Sequence, residues 1–287
     1  MIRPVEHVRA MRGGAQSHLI RADDGHHYVV KFLNNPQHPR ILANEWLASH
    51  IAQAIGLSVP ACEVMVVSDD FIAANPGLTL RVQGSQIPVA EGWAFASRLP
   101  TQDPHAPIYD YLPEPGLEQV ENLDEFAGAL ALDKWLCNCD GRQVIFCRPQ
   151  PRHKLRAFFI DFGFCFNAGE WTFPDGPYRA VHSRNAVYRS VTGWDSFEPW
   201  LSRIESFPES RLYRIIARMP IEWHSDSKAL VALLDCLKAR RKQVGTLIHS
   251  LRLSPRAPFE NWHGDPTPPV PPGRPIIPTE PQQRSLL

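Results

Sequence analysis

The chain has 287 residues, enough for one large domain or two small ones with a substantial core. Its 44% hydrophobic and 21% charged residues are those of an ordinary globular protein, and 30 basic against 30 acidic side chains leave no overall field pointing to nucleic acid or membrane. The six cysteines lack zinc-ribbon spacing, the opening MIRPVEHVRAMRGG has no apolar secretion core, and no apolar run approaches membrane length, so reduced thiols and a cytoplasmic location are expected.

After the first dozen residues, Gly13 to Ser17 reads as a flexible lead-in whose backbone N–H groups and Ser17 hydroxyl are free to meet an anion. Asp24-Gly25 then separates two β-prone runs, 18–22 and 27–33, a strong hairpin signal. Lys31 is the single charge in the second run; it either snorkels to water from an edge or points inward at a phosphate. A helix is predicted over 40–55, with Leu47, Ile51, Ala54 and Ile55 as its apolar stripe and Gly56 at the C′ position. Glu45 on that helix is either a half-solvated surface charge or the partner of a buried Lys31.

VPACEVMVV reads as a strand, 93–99 as a strand or a crossing between lobes, and 103–115, with four prolines, as a loop. Asn122-x-x-Glu125 predicts a capping box opening a helix through Leu136. Later helices are expected over 197–206 and 209–219, followed by a long one from 226 to about 251. From 254 to 287 there are ten prolines and no apolar pattern, so this is expected to be a disordered tail, either a spacer or a ligand for a proline-binding partner.

The richest stretch is KWLCNCDGRQVIFCRPQPRHKLRAFFIDFG, residues 134–163. Asp140 and Asp161 each stand at the edge of an apolar segment, and the β-like runs 144–147 and 157–160 form a hairpin that returns Asp161 toward Asp140. Each aspartate could be a turn or helix cap. Alternatively, two converging carboxylates and a divalent cation are the parts needed for phosphoryl transfer.

Taken in order, the Gly-containing hairpin, strand Lys31, helix Glu45, Asn138-x-Asp140, a β-hairpin and Asp161-Phe162-Gly163 have the layout of an α+β, two-lobed protein-kinase-like fold. A β-rich N-lobe is expected over 1–98, a mainly helical C-lobe over 99–253 and the tail over 254–287. WLCNCDGRQ and GGAQSHLIRADDGHHYVVKF resemble the catalytic loop and first hairpin of the HipA-like kinases, and the Asn44-Glu45 pair also fits. The resemblance implies ATP and Mg²⁺ as cofactors, with Gly13, Gly14, Ser17 and Lys31 at the nucleotide and Glu45 orienting Lys31. It further implies Asp140 as the group that handles the acceptor's proton, Asn138 as support for its loop and Asp161 as metal ligand. The family's usual second metal-binding Asn falls at Ile145 here, and Gln143 is the candidate replacement. The implied activity is a serine/threonine protein kinase; the alternatives are a nucleotide-sensing or protein-binding pseudokinase, or a kinase for small molecules or lipids.

Overall fold

The computed structural model describes residues 1–224, 226–265, 267 and 268. The chain opens with β1 (Pro4–Ala10), β2 (His18–Ala22) and β3 (His27–Lys31), then α1 (Ile41–Ala54) and β4 (Cys62–Val67). α2 (Asp69–Ala74), the hairpin β5 (Thr79–Val82) and β6 (Ser85–Pro88), and β7 (Gly92–Arg98) complete the N-terminal part. Five of these strands form one sheet in the order β1-β2-β3-β7-β4. Ile2 then bridges to Met65 on the far edge strand, donating to Val64 O at 3.1 Å and accepting from Val66 N at 3.0 Å, so the sheet nearly closes on itself. Inside the curl lies a small core of Ile20, Tyr28, Val30, Phe32, Met65 and Leu80.

β1 was not anticipated from the sequence. Its side chains are largely exposed, so PVEHVRA shows no period-two apolar face; pairing with β2 holds it. As a consequence Gly13 to Ser17 is not a lead-in but the loop of the β1–β2 hairpin.

The C-terminal part contains β8 (Ile108–Tyr109), α3 (Glu114–Leu117), α4 (Glu125–Trp135), the hairpin β9 (Gln143–Cys147) and β10 (Arg156–Ile160), and then α5 (Trp200–Glu205), α6 (Glu209–Ala217), α7 (Ser227–Arg240) and α8 (Val244–Arg252). The two-lobed α+β layout is therefore the observed one. α4 is buried along its whole length, its Glu125, Asp133 and Lys134 included. α1 joins the lobes: its Ile41, Trp46, Leu47 and Ile51 belong to the same large core as Phe126, Leu130 and Trp135 of α4. Its C-terminus is set by Gly56 in the left-handed region (φ 91°), where Arg203 Nη1 reaches Ile55 O at 2.7 Å and leaves no room for a Cβ.

Three sequence expectations are corrected. Asn122 caps no helix; its amide pairs with Ala157 N and O at 2.9 and 3.0 Å, completing the hydrogen bonds of β10 like a short strand. The single long helix is broken into α7 and α8 by a tight turn at 241–243, where Arg241 donates to Phe207 O at 2.7 Å. The break keeps Leu233, Leu237, Val244, Ile248 and Leu251 all on the core. Finally, the part of the tail up to residue 265 is packed, with Phe259 buried and Trp262 against it. The remainder of the expected proline-rich tail lies outside the described residues, apart from 267 and 268. No helix among the described residues is long and apolar enough to cross a membrane.

Candidate active site

Lys31 ends β3 with its side chain turned inward and 8% exposed. It meets two carboxylates: Glu45 of α1, in a short contact, and Asp161, with Nζ to Oδ1 at 2.8 Å. Burial by itself would depress the ammonium's pKa, but the two carboxylates override it and hold Lys31 above its ordinary value. The same cation pulls Asp161 below the usual carboxylate range against its own burial. For the fully buried Glu45, burial wins and the direction is upward.

Glu45 also accepts from Phe162 N (3.1 Å) and Gly163 N (3.0 Å). One carboxylate thus fixes a strand lysine and the turn that carries Asp161. The close approach requires glycine at 163, because a Cβ there would lie 2.6 Å from Ile41 Cγ1. Asp161 itself has φ 59°, a left-handed conformation that Asp and Asn tolerate better than most residues.

Asp140 follows α4 on a loop that is held from below. Asn138, 1% exposed, accepts from Asp140 N at 3.0 Å and donates to Asp133 Oδ1 at 3.0 Å. Arg142 forms a bidentate pair with Asp133 (2.9 and 2.8 Å), donates to Ile160 O at 2.6 Å and lies over the Phe162 ring at 4.3 Å. The Asp133–Arg142 pair therefore ties the loop of Asp140 to the end of the strand leading into Asp161. Neither residue was singled out from the sequence, although a lone acid in the apolar run FAGALALDKWL was a readable signal.

A cleft of about 670 Å³ between the lobes is lined by Gly13, Gly14, Ser17, Lys31, Glu45, Asp140, Gln143 and Asp161. Asn138 does not line it and instead links Asp140 N to Asp133. Gln143 points its amide nitrogen at Asp140 Oδ2 (3.4 Å), and Ile145 also faces the cleft. Apolar walls come from Val29, Phe95, Leu99 and Phe159. Above, the glycine loop is tethered by Asn35, which donates to Ala15 O at 2.9 Å, and by Gln16, which donates to and accepts from the backbone of Arg81.

The segment after Gly163 is held in place by buried donors. The Asn44 amide reaches the carbonyls of Gly163, Cys165 and Ala168 at 2.8–2.9 Å and accepts from Trp171 Nε1 at 2.8 Å. Further on, Lys134 donates to Pro177 O (2.9 Å) and Arg179 O (2.7 Å). Burial pulls the Lys134 ammonium down to about 8, against the opposing charge of Asp133. Between about 8 and the ordinary 10.5 the unfolded chain binds a proton that the folded chain lacks, so stability should rise with pH in this window. Thermal melts of wild type and Lys134→Met across pH 7.5 to 10.5 check this; the wild type gains on the variant as pH rises, and a constant difference refutes it.

The architecture places the chain among the two-lobed kinase-like folds. A solved structure described as hydra Fam20 with sugar matches with TM-score 0.54 and 9% identity over 88% of this chain and 86% of that one. The Golgi casein kinase with Mn/ADP bound matches with TM-score 0.51 and 11% identity, over 88% and 74% of the two chains. No curated protein matches the chain. Residues 5–144, which contain the glycine loop, Lys31, Glu45 and the Asp140 loop, match the family model of the HipA-like kinases. The family and the fold support a kinase-type phosphotransferase.

Proposed function

We propose that the protein is an ATP- and divalent-cation-dependent phosphotransferase acting on a serine or threonine hydroxyl of another protein. The observation that carries this is Lys31 held between Glu45 and Asp161 in a cleft that Asp140 also lines. The oxygen donors facing that cleft, Asp161, Asp140 and the Gln143 amide, are of the hard type that Mg²⁺ or Mn²⁺ takes, usually one or two carboxylates together with phosphate oxygens. The Mn/ADP of the Golgi casein kinase structure supports the same ligand class here.

In this reading Lys31 holds the α- and β-phosphates and Glu45 keeps the ammonium in place. Gly13, Gly14 and Ser17 cover the phosphates with backbone and hydroxyl donors, and the apolar walls take the base. Asp161, with Gln143 in place of the missing asparagine, would hold Mg²⁺, which when bound would supply charge neutralisation at the phosphates. Asp140 accepts the proton of the attacking hydroxyl as its oxygen bonds to the γ-phosphorus and the bond to the ADP oxygen breaks. Positioning and charge supply most of the rate in such reactions. The six free thiols support a reducing compartment, the cytoplasm.

The test is incubation of the purified chain with γ-labelled ATP, Mg²⁺ and cell lysate, with labelled proteins identified by mass and the phosphorylated residue mapped. Label on serine or threonine is the expected result. Ile145 facing the cleft favours one second reading, a nucleotide-binding pseudokinase; ATP-dependent thermal stabilisation without any transfer selects it. Absence of both binding and transfer removes both readings.

A further inference from the structure

Away from the cleft, and sharing no lining residue with it, is another cavity of about 550 Å³ lined by Arg184, Arg189 and Arg256, by Ser183 and Asn185, and by two acids, Glu114 and Glu260. It sits where the segment following Asp161 turns into the helical part of the C-lobe, against α3 and the packed 254–260 stretch. Three guanidiniums converge on it, and those of Arg184 and Arg256 keep nitrogens to spare. Arg256 spends one nitrogen on His182 O, while its Nε is buried with no partner among the described residues. Arg184 spends one nitrogen on Leu112 O. Among the described residues, the side chains of Ser183 and Asn185 make no hydrogen bond.

The two acids do not cancel this surplus. Arg189 bridges Glu114 and Glu118 at 3.2 Å, but those carboxylates are 65% and 67% exposed, and such surface pairs are weak and easily exchanged. Glu260 makes no ion pair with any of the three arginines among the described residues. The cavity therefore offers forked donors, a hydroxyl and an amide where acceptors are few. That donor set matches the oxygens of a phosphate group, which an arginine fork engages two at a time.

Beside the cavity the Arg184 guanidinium lies 4.7 Å from the centre of the Tyr111 ring, and Tyr111 is 61% exposed. An exposed tyrosine stacked on an arginine at the rim of an anion pocket has little use for a free ion. It is the kind of surface on which a peptide lays its chain, since Tyr and Arg supply anchoring area in protein interfaces.

We propose that the Arg184–Arg189–Arg256 cavity is a docking site for a phosphorylated side chain of a protein partner, with Tyr111 supporting the flanking peptide. The site stands apart from the catalytic reading, because docking involves no phosphoryl transfer. It is tested by fluorescence anisotropy with the full chain, using a labelled degenerate peptide library centred on phosphoserine and its unphosphorylated twin, with and without saturating ADP. The phosphorylated library should bind at least tenfold tighter, unaffected by ADP. Arg256→Met and Arg189→Met should each weaken it about tenfold or more; Arg189 pairs only with exposed acids, so its variant keeps the fold even if Arg256→Met does not. Equal binding of the two libraries, or no loss in Arg189→Met with a normal melting temperature, overturns the proposal. Displacement by inorganic phosphate alone at the affinity of the peptide would assign the cavity to a free anion and overturn the peptide partner. Loss of binding on adding ADP would place the peptide in the main cleft and equally overturn it.

Discussion

Asp161→Asn should lower phosphoryl-transfer turnover by about 10²-fold or more, corresponding to ~3 kcal/mol of barrier, while leaving the fold intact. Asparagine is the informative replacement for two reasons. It is nearly isosteric, and it tolerates the left-handed backbone at φ 59° that alanine would resist at about 1–2 kcal/mol. What it removes is the charge. Lys31 loses one of the two carboxylates that raise its pKa, and the cleft loses one of the two carboxylates offered to a metal. Steady-state kinetics at saturating ATP and Mg²⁺, paired with a melting curve, measure both sides. Turnover within threefold of wild type would show that Asp161 plays no part in the reaction.

Asp133→Ala should be the most damaging single change to stability, at about 3–5 kcal/mol, because it strands a buried guanidinium without its counter-charge. Arg142 and Asp133 are 2% and 0% exposed, and Asp133 satisfies both the Arg142 fork and the Asn138 amide. For a chain of this size, each kcal/mol moves the melting temperature by about 2–4 °C, so a fall of ~10 °C is expected. The pair also sets geometry, since Arg142 reaches Ile160 O one residue before Asp161. The double variant Asp133→Leu with Arg142→Met should recover most of the lost stability, because burying apolar groups in place of a buried ion pair is often neutral. It should not recover turnover if the pair positions Asp140 and Asp161. Recovery of both would reduce Asp133 and Arg142 to a purely structural role.

Much of this arrangement was legible before any coordinates, for a reason that lies in the residues themselves. Lys31, Glu45 and Asp161 are each isolated charges at or within apolar segments, and an ionised group beside buried surface needs a counter-charge. That demand made Glu45 one candidate partner for Lys31, and the structure brings both together with Asp161. Asp133 and Lys134 made the same demand in α4, but their partners, a guanidinium nine residues on and carbonyls more than forty residues away, have no local pattern to reveal them.

Local chemistry misled where tertiary hydrogen bonding offered a better partner. Asn122 had the spacing of a helix cap, yet Ala157 presents both a donor and an acceptor to its amide, which a capping role could not satisfy. β1 was invisible because an exposed strand has no apolar period; only its pairing with β2 and the Ile2 bridge to Met65 define it, and with it the true position of the glycine loop.

By itself, then, the sequence determined the α+β lobes, because strand and helix periods are written residue by residue, and it carried the likeness to HipA-like kinases in a few short motifs. Only the tertiary structure decided that the glycine loop closes a hairpin over the cleft, that Asp133 and Arg142 couple the two aspartates, and that three arginines converge on a second cavity. Those facts depend on contacts between residues far apart in the chain, and such contacts are set by how whole elements pack.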